Sequence, residues 1–233
     1  MPVPANTITD ISSRNGLLLD ETAGRLLQQY QELLLEWNRR INLVSRRDAG
    51  SSLENHILHS LSLLWNVEIR CGARVLDLGT GGGLPGIPLA IARPDLEVVL
   101  LDSIRKKIRA VDDIVARLGL GNVSTRCARA EELPEQNSFD LIVSRGVAEL
   151  TELVRWSRLL ARKTMPSGTP GAAASPRHLP EPCLLCLKGG DLEGEIARAA
   201  TKTGVRNISV LDCIFRYGRD PDFEGKKIVV VPL

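Results

Sequence analysis

No run in the 233-residue sequence approaches the roughly 18 consecutive apolar residues that a membrane-spanning helix needs. Met1 to Asp10 has neither the basic start nor the apolar stretch of a secretory signal, so the chain is expected in the cytoplasm, away from membranes. Neither sign of charge dominates: Lys+Arg 30 against Asp+Glu 28 leaves a formal +2, so any surface for a polyanion must be local. The five cysteines, Cys71, Cys127, Cys183, Cys186 and Cys213, are an odd count spread through apolar segments, the pattern of reduced core thiols rather than of a disulfide framework. Cys183 and Cys186 have the spacing of a metal or redox pair. In a strand, however, positions three apart face opposite ways, and no second pair completes a zinc site, so no metal is expected. What is present, 43% hydrophobic residues in a chain of this length, suits one α/β domain with a modest extension and no internal repeat.

The chain is organised around Arg74 to Ala90. Arg74-Val75-Leu76-Asp77-Leu78 reads as a buried strand ending near a carboxylate, and five glycines follow between Gly79 and Gly86. Pro85 and Pro88 fit the first turn of a helix, and Pro94 stops it. Strand, glycine loop and helix N-terminus in that order form a ligand loop, and the spacing selects the ligand. A dinucleotide fingerprint wants Gly or Ala where Leu84 stands. A P-loop needs Lys-Ser or Lys-Thr after its second glycine, whereas Ile87-Pro88 follows Gly86. The remaining pattern, Asp77-x-Gly79-x-Gly81-x-Gly83, resembles the first motif of class I S-adenosylmethionine-dependent methyltransferases, whose ligand carries no phosphate.

Before this unit, an unstructured lead precedes a helix from about Asp20 to Trp37, where Leu26, Tyr30, Leu33 and Trp37 recur at helical spacing. Arg39, Arg40, Arg46 and Arg47 alternate with apolar residues and Asn, a basic edge suited to RNA. A second helix, about Ser52 to Asn66, carries His56 and His59, which read first as packing or hydrogen-bonding residues. After the loop, Glu97 to Asp102 is a second buried strand whose terminal carboxylate is a candidate for ribose hydroxyls or, alternatively, a helix cap. Ile104, Ile108, Val111, Val115 and Leu118 stripe the next helix, which Gly119 ends. A third strand, Val123 to Cys127, leads to Ala130 and Glu131 near the base of the ligand. Phe139 to Arg145 is the fourth strand, with Arg145 at the switch point where substrate meets cofactor. Thr164 to Pro182, rich in Pro, Gly, Ala and Ser, reads as a flexible excursion that nothing packs. Strands at Leu184 to Lys188, Arg206 to Tyr217 and Lys226 to Val231, with a helix from Asp191 to Thr203, complete seven strands with an antiparallel end. The expected architecture is therefore a class I, Rossmann-like α/β domain over 71–233 with a flexible loop at about 164–182, preceded by a helical extension over 1–70.

Trp37-Asn38 with Ile41-Asn42-Leu43, the loop from Asp77 to Pro88, Leu101-Asp102-Ser103, Ala130-Glu131, Ser144-Arg145 and Leu187-Lys188-Gly189 together closely resemble the ribosomal RNA small subunit methyltransferase G family, also called glucose-inhibited division protein B. The resemblance runs from about Leu18 to near the end. It implies transfer of a methyl group from S-adenosylmethionine to N7 of a guanosine in 16S ribosomal RNA, free or in the small subunit, by a chain expected to be monomeric. The family's cofactor positions fall on Gly79, Leu84, Ala130, Glu131 and Arg145. The strand and loop residues Asp77, Gly81, Gly83 and Asp102 join them as cofactor candidates, Arg145 is the positioning residue at the reaction, and Arg105 and Lys188 join the four arginines as RNA candidates. His59 stands where the family usually has an acid, and Thr164 to Pro182 is longer than most.

The residue types agree with such chemistry. Methylation of pyrimidine C5 needs a cysteine beside the cofactor, and the cysteines here sit in strands or before the first strand rather than in the loop after the fourth; exocyclic amines call for an Asp/Asn-Pro-Pro-Tyr-like motif, where this chain has Ser144-Arg145-Gly146. Guanine N7 already offers an in-plane lone pair, so the protein mainly aligns two reactants, an effect that supplies about 7 to 11 kcal/mol. The narrow major groove of A-form RNA hides N7, which points to a loop or irregular target. A non-catalytic cofactor-binding module that docks on RNA or protein, and a methyltransferase for a small molecule, are the competing readings.

Overall fold

Successive side chains of a strand point to opposite faces, and the core divides accordingly. Val75, Val98, Leu100, Leu141, Val143, Cys183 and Leu185 pack on one side of a sheet, while Leu76, Leu78, Val99, Leu101, Ile142, Leu184 and Cys186 pack on the other. Strands buried on both faces read as continuous apolar runs, the mark of a parallel sheet covered by helices. The computed structural model of the chain describes residues 5–44, 53–163, 177, 179–215 and 224–233. It contains β1 (Arg74–Leu78), β2 (Glu97–Asp102), β3 (Val123–Cys127), β4 (Leu141–Arg145), β5 (Cys183–Gly189), β6 (Ser209–Asp212) and β7 (Lys226–Pro232) in one sheet of order β3-β2-β1-β4-β5-β7-β6. All pairings are parallel except those of β7 with β5 and β6. The order reverses between β1 and β4, so a crevice opens at their carboxyl ends.

Five helices, α1 (Ala5–Arg14), α2 (Glu21–Asn38), α3 (Leu53–Asn66), α4 (Gly86–Ala92) and α5 (Arg105–Leu118), cover one face. The other face is covered by α6 (Leu150–Leu160) and α7 (Glu193–Thr203). Asp20 caps α2 by accepting from the Ala23 amide at 2.7 Å, and Gly119 ends α5 in the left-handed conformation that releases the chain toward β3.

The N-terminal helices share the sheet's core. Tyr30, Leu27 and Leu34 of α2 are fully buried in the same cluster as Val75 and Val98. The Tyr30 hydroxyl donates to the Gly82 carbonyl at 2.9 Å, and Trp37 Nε1 donates to Asp113 of α5 at 2.8 Å. The lead is not unstructured: residues 5–14 form α1, anchored by Ile8, which is fully buried in that core. Two isoleucines, Ile8 and the half-buried Ile11, are the helix's apolar contacts with the core, a pattern too short to set it apart from a polar lead.

Two further expectations change. Of the Thr164 to Pro182 segment, 164–176 and 178 lie outside the described residues. The remainder packs: Leu179 is buried, Glu181 pairs with Arg70 at 2.9 Å, and the Arg177 carbonyl accepts from the Glu68 amide. The five cysteines are free, but only Cys183, Cys186 and Cys213 are core thiols; Cys71 and Cys127 are exposed.

Where β1 meets α4, the packing leaves no room for a side chain at Gly86: a Cβ there would lie 2.3 Å from Leu100 Cδ2 and 2.8 Å from Asp77 Oδ2. Gly86→Ala should therefore destabilise the fold by about 1–3 kcal/mol through overpacking, seen as a lower urea midpoint at unchanged slope. An unchanged midpoint would mean that the loop and helix move apart without loss.

Candidate cofactor cavity and adjoining cleft

The loop after β1 is built on a carboxylate. Asp77 is fully buried, and its Oδ2 accepts from Thr80 Oγ1 at 2.7 Å and from the Gly86 amide at 2.8 Å. The loop's first turn is tied to the neighbouring strand, since the amides of Gly79 and Thr80 both donate to the Leu101 carbonyl at 2.9 Å. Asp102, at the end of β2, accepts from the Gly81 amide at 3.1 Å through one oxygen and from the Ile104 amide at 2.9 Å through the other. Gly79 and Gly81 have φ of +76° and +58°, a region other residues rarely enter. At Gly79 space is also lacking, as a Cβ would stand 2.4 Å from Val147 Cγ2. Gly82 serves packing: a Cβ there would meet Leu34 at 2.7 Å, so its absence lets α2 approach the loop.

Burial raises the Asp77 carboxyl to about 6, against the bonds from Thr80 and Gly86 that favour its charged form. Asp77 thus braces the loop from beneath and does not line the cavity above it.

That cavity, about 300 Å³, opens at the carboxyl ends of β1, β2 and β4. Leu78, Leu101, Ile104 and Val147 form apolar walls, with Asp102, Lys107 and Glu131 as polar groups among them. Such a mostly apolar concavity with a few convergent polar groups is the usual form of a small-molecule site. Ile104 and Val147 are each 40% exposed, a cost that a flat aromatic ligand lying against them removes. Glu131 stands in a short 3-10 turn over 130–132, and its Oε1 accepts from Trp156 Nε1 at 2.7 Å. Among the sequence candidates, Gly79, Asp102, Ala130 and Glu131 reach this cavity, whereas Gly81, Gly83 and the buried Leu84 belong to the supporting loop. Ile104, Lys107, Val147 and Trp156 were missed. They come from segments that only the fold brings together, and none carries a local motif.

Arg145 does not line the cavity but a larger cleft beside it, about 500 Å³, which shares Gly146. The cleft is walled by Leu43, Val44, His56, His59, Arg145, Lys188, Glu195 and Lys226, among others. Arg145 Nη1 lies 2.9 Å from His56 Nδ1; a guanidinium only donates, so Nδ1 accepts and the ring proton of a neutral His56 resides on Nε2. Burial, with Arg145, Lys226 and His56 nearby, pushes His59 down to about 3, so its ring stays neutral. Lys188 donates to Glu195 at 2.7 Å and to the Ala148 carbonyl at 3.2 Å.

The other basic candidates lie elsewhere. Arg40 pairs with Glu36 and sits over the Trp37 ring, Arg39 is the exposed C-cap of α2, and Arg105 is exposed at the start of α5. Arg46 and Arg47 fall outside the described residues. Among the described residues no three His, Cys, Asp or Glu side chains converge as metal ligands, and no helix is long and apolar enough to cross a membrane.

Sheet order, glycine loop and cavity define a class I S-adenosylmethionine-dependent methyltransferase. A SAM-dependent methyltransferase from Aquifex aeolicus, 17% identical, shares the fold with a TM-score of 0.51 over 74% of this chain and 88% of that one. Residues 24–165 match the family described as rRNA small subunit methyltransferase G. Relatives bearing the name ribosomal RNA small subunit methyltransferase G include one from Bacteroides fragilis, 41% identical over 87% of this chain and 89% of its own. Another, from Chlorobium limicola, is 37% identical over 97% of this chain and 95% of its own. The chain belongs to the rRNA small subunit methyltransferase G family.

The raised pKa of Asp77 sets a pH dependence of known sign. Because the folded state holds the proton more tightly than an unfolded chain with pKa near 3.8, this residue's contribution is most favourable below that value and is lost as pH rises through about 6. Relative to Asp77→Asn, wild type should gain stability between pH 7 and 4.5, by about 2 kcal/mol. Chemical denaturation of both proteins across that range checks it, and parallel pH curves would show the Asp77 pKa to be unshifted.

Proposed function

We propose that the protein methylates N7 of a guanosine in 16S ribosomal RNA, as a monomer in the cytoplasm, on free RNA or on the small subunit. The observation that carries the reading is the pairing of the mostly apolar cavity at the strands' carboxyl ends with a cleft that shares Gly146 with it, carries Arg145, Lys188 and Lys226, and has no cysteine on its wall among the described residues. Cys186, opposite Ser144 on the adjacent strand, is the thiol nearest in register to the end of β4, and burial pushes it up to about 12. It cannot serve the covalent route to a pyrimidine carbon. Bound S-adenosylmethionine supplies an electrophilic methyl group. N7 presents a lone pair with no proton to remove, so the neutral His59 and the buried Asp77 need not act as bases, and orientation supplies the rate.

In this reading Asp102 holds the ribose. Each of its oxygens already accepts one backbone amide and retains a second acceptor position for a hydroxyl. Ile104 and Val147 enclose the adenine, with Ala130 and Glu131 at its edge. Arg145, Lys188 and Lys226 supply the cleft's positive charge for RNA.

Labelled methyl transfer to 16S RNA tests the function and separates it from a docking module or a small-molecule enzyme. Methylation at N7 makes the product RNA break at one guanosine after borohydride and aniline; incorporation without that break would place the methyl on another atom. Loss of two hydrogen bonds to a charged acceptor, each about 1.5–3 kcal/mol, should make Asp102→Ala bind S-adenosylhomocysteine at least tenfold more weakly by calorimetry. Equal affinity would reduce Asp102 to a support for the loop.

A further inference from the structure

One carboxylate stands in the otherwise cationic cleft. Arg145, Lys188 and Lys226 line it with the two histidines, and Glu195 is the sole acidic residue on its wall among those described. An RNA cleft gains nothing from negative charge as such, so this one requires a local reason. Part of the reason is structural: Glu195 Oε1 accepts from Lys188 Nζ at 2.7 Å and from the Leu150 amide at 2.6 Å, which caps the first turn of α6. Both bonds fall on the same oxygen. Oε2 accepts from no described group, and the side chain is partly open, at 16% exposure.

The pair therefore shows the cleft a donor, the remaining N–H of Lys188, beside an acceptor, Glu195 Oε2. Guanine's edge runs acceptor, donor, donor through O6, N1–H and the N2 amine, whereas adenine's runs donor then acceptor through N6 and N1. A lysine next to a carboxylate matches the first order and opposes the second. N7 adjoins O6 on the same base, so a base whose N7 faces the cavity at Gly146 carries this edge into the cleft. Lys188 is in turn held to the Ala148 carbonyl, two residues beyond Gly146.

We propose that Glu195 is a specificity-determining residue: its free oxygen accepts from N1–H and the N2 amine of the target guanine while Lys188 donates to O6. This rests on the guanine-N7 reading above.

The test uses 16S RNA ligated to carry guanosine, inosine or 1-methylguanosine at the methylated position, with initial rates of methyl transfer. Inosine keeps N7, O6 and N1–H but lacks the amine, and 1-methylguanosine blocks N1. Wild type is expected to lose about 10- to 100-fold in kcat/KM on each analogue, the equivalent of one hydrogen bond to a charged acceptor. In Glu195→Gln, whose amide oxygen can still cap α6, transfer to guanosine should fall by a similar factor and the guanosine-to-inosine ratio should shrink to within about threefold. The variant's affinity for S-adenosylhomocysteine should match wild type, and its circular dichroism spectrum should show it folded at the assay temperature, even though loss of the Lys188 ion pair lowers its melting temperature. Equal wild-type rates on all three bases overturn the proposal without any variant, as does an undiminished ratio in Glu195→Gln. Transfer to guanosine with no discrimination leaves the N7 function standing, whereas no transfer to the natural guanosine removes both.

Discussion

A buried carboxylate at the end of β1 determines where everything else can go. Asp77 lies wholly out of water, and its two bonds on Oδ2 join the start and the end of the glycine loop, Thr80 and Gly86, to a single point. Removing a carboxylate from water is unfavourable enough to raise its pKa to about 6. In return the loop between the bonds is held in one shape. Asp102 pins the loop at Gly81 from the neighbouring strand, and Tyr30 reaches the Gly82 carbonyl from the opposite helical layer. Three elements distant in sequence thus meet on one short turn, and the cavity's floor inherits their rigidity.

At the other end of the sheet a second carboxylate has a different task. Asp140 is 2% exposed at the entry to β4; it accepts from the Arg74 amide at 2.8 Å and forms ion pairs with Arg70 at 2.9 Å and Arg162 at 3.0 Å. The two arginines balance this buried charge, and through them it gathers the connections before β1 and after α6. The chemistry-bearing end of the strands is therefore free to be open, because the far end is cross-linked by ion pairs.

Most of this architecture was legible in the sequence because the signals are local. The central parallel strands β1, β2, β4 and β5 are short apolar runs, the loop is a cluster of glycines, and α5 carries a clean stripe ended by Gly119. What escaped has long-range causes. Ile8 and the half-buried Ile11 are two anchors in an otherwise polar helix whose partners lie in other elements, so α1 left only a short periodic trace. Leu179 and Glu181 look like part of a polar loop until Arg70 and the core are brought beside them. The cavity itself was half legible. Gly79, Asp102, Ala130 and Glu131 sit just after strands, where α/β folds place ligand contacts. Ile104, Val147 and Trp156 are recognisable only from the exposure and bonding that the fold gives them. Lys188 read as an RNA contact, yet its nearest engagement is Glu195, a residue without a motif on a helix seven positions further on.

The segment from Gly146 to Glu149 separates the two hollows of the molecule. Val147 faces the cavity, Gly146 borders both, and Lys188 holds the Ala148 carbonyl from the side of the cleft. Gly146 is thus a common wall, with Val147 on the cavity side and Ala148 held from the cleft side. A ligand that draws this wall into a single position from one side changes the ordering left to be done by a ligand on the other. Such coupling is reciprocal by thermodynamic necessity: whatever factor the small molecule lends to the macromolecule's affinity, the macromolecule returns. The shared wall makes the two affinities a single linked quantity.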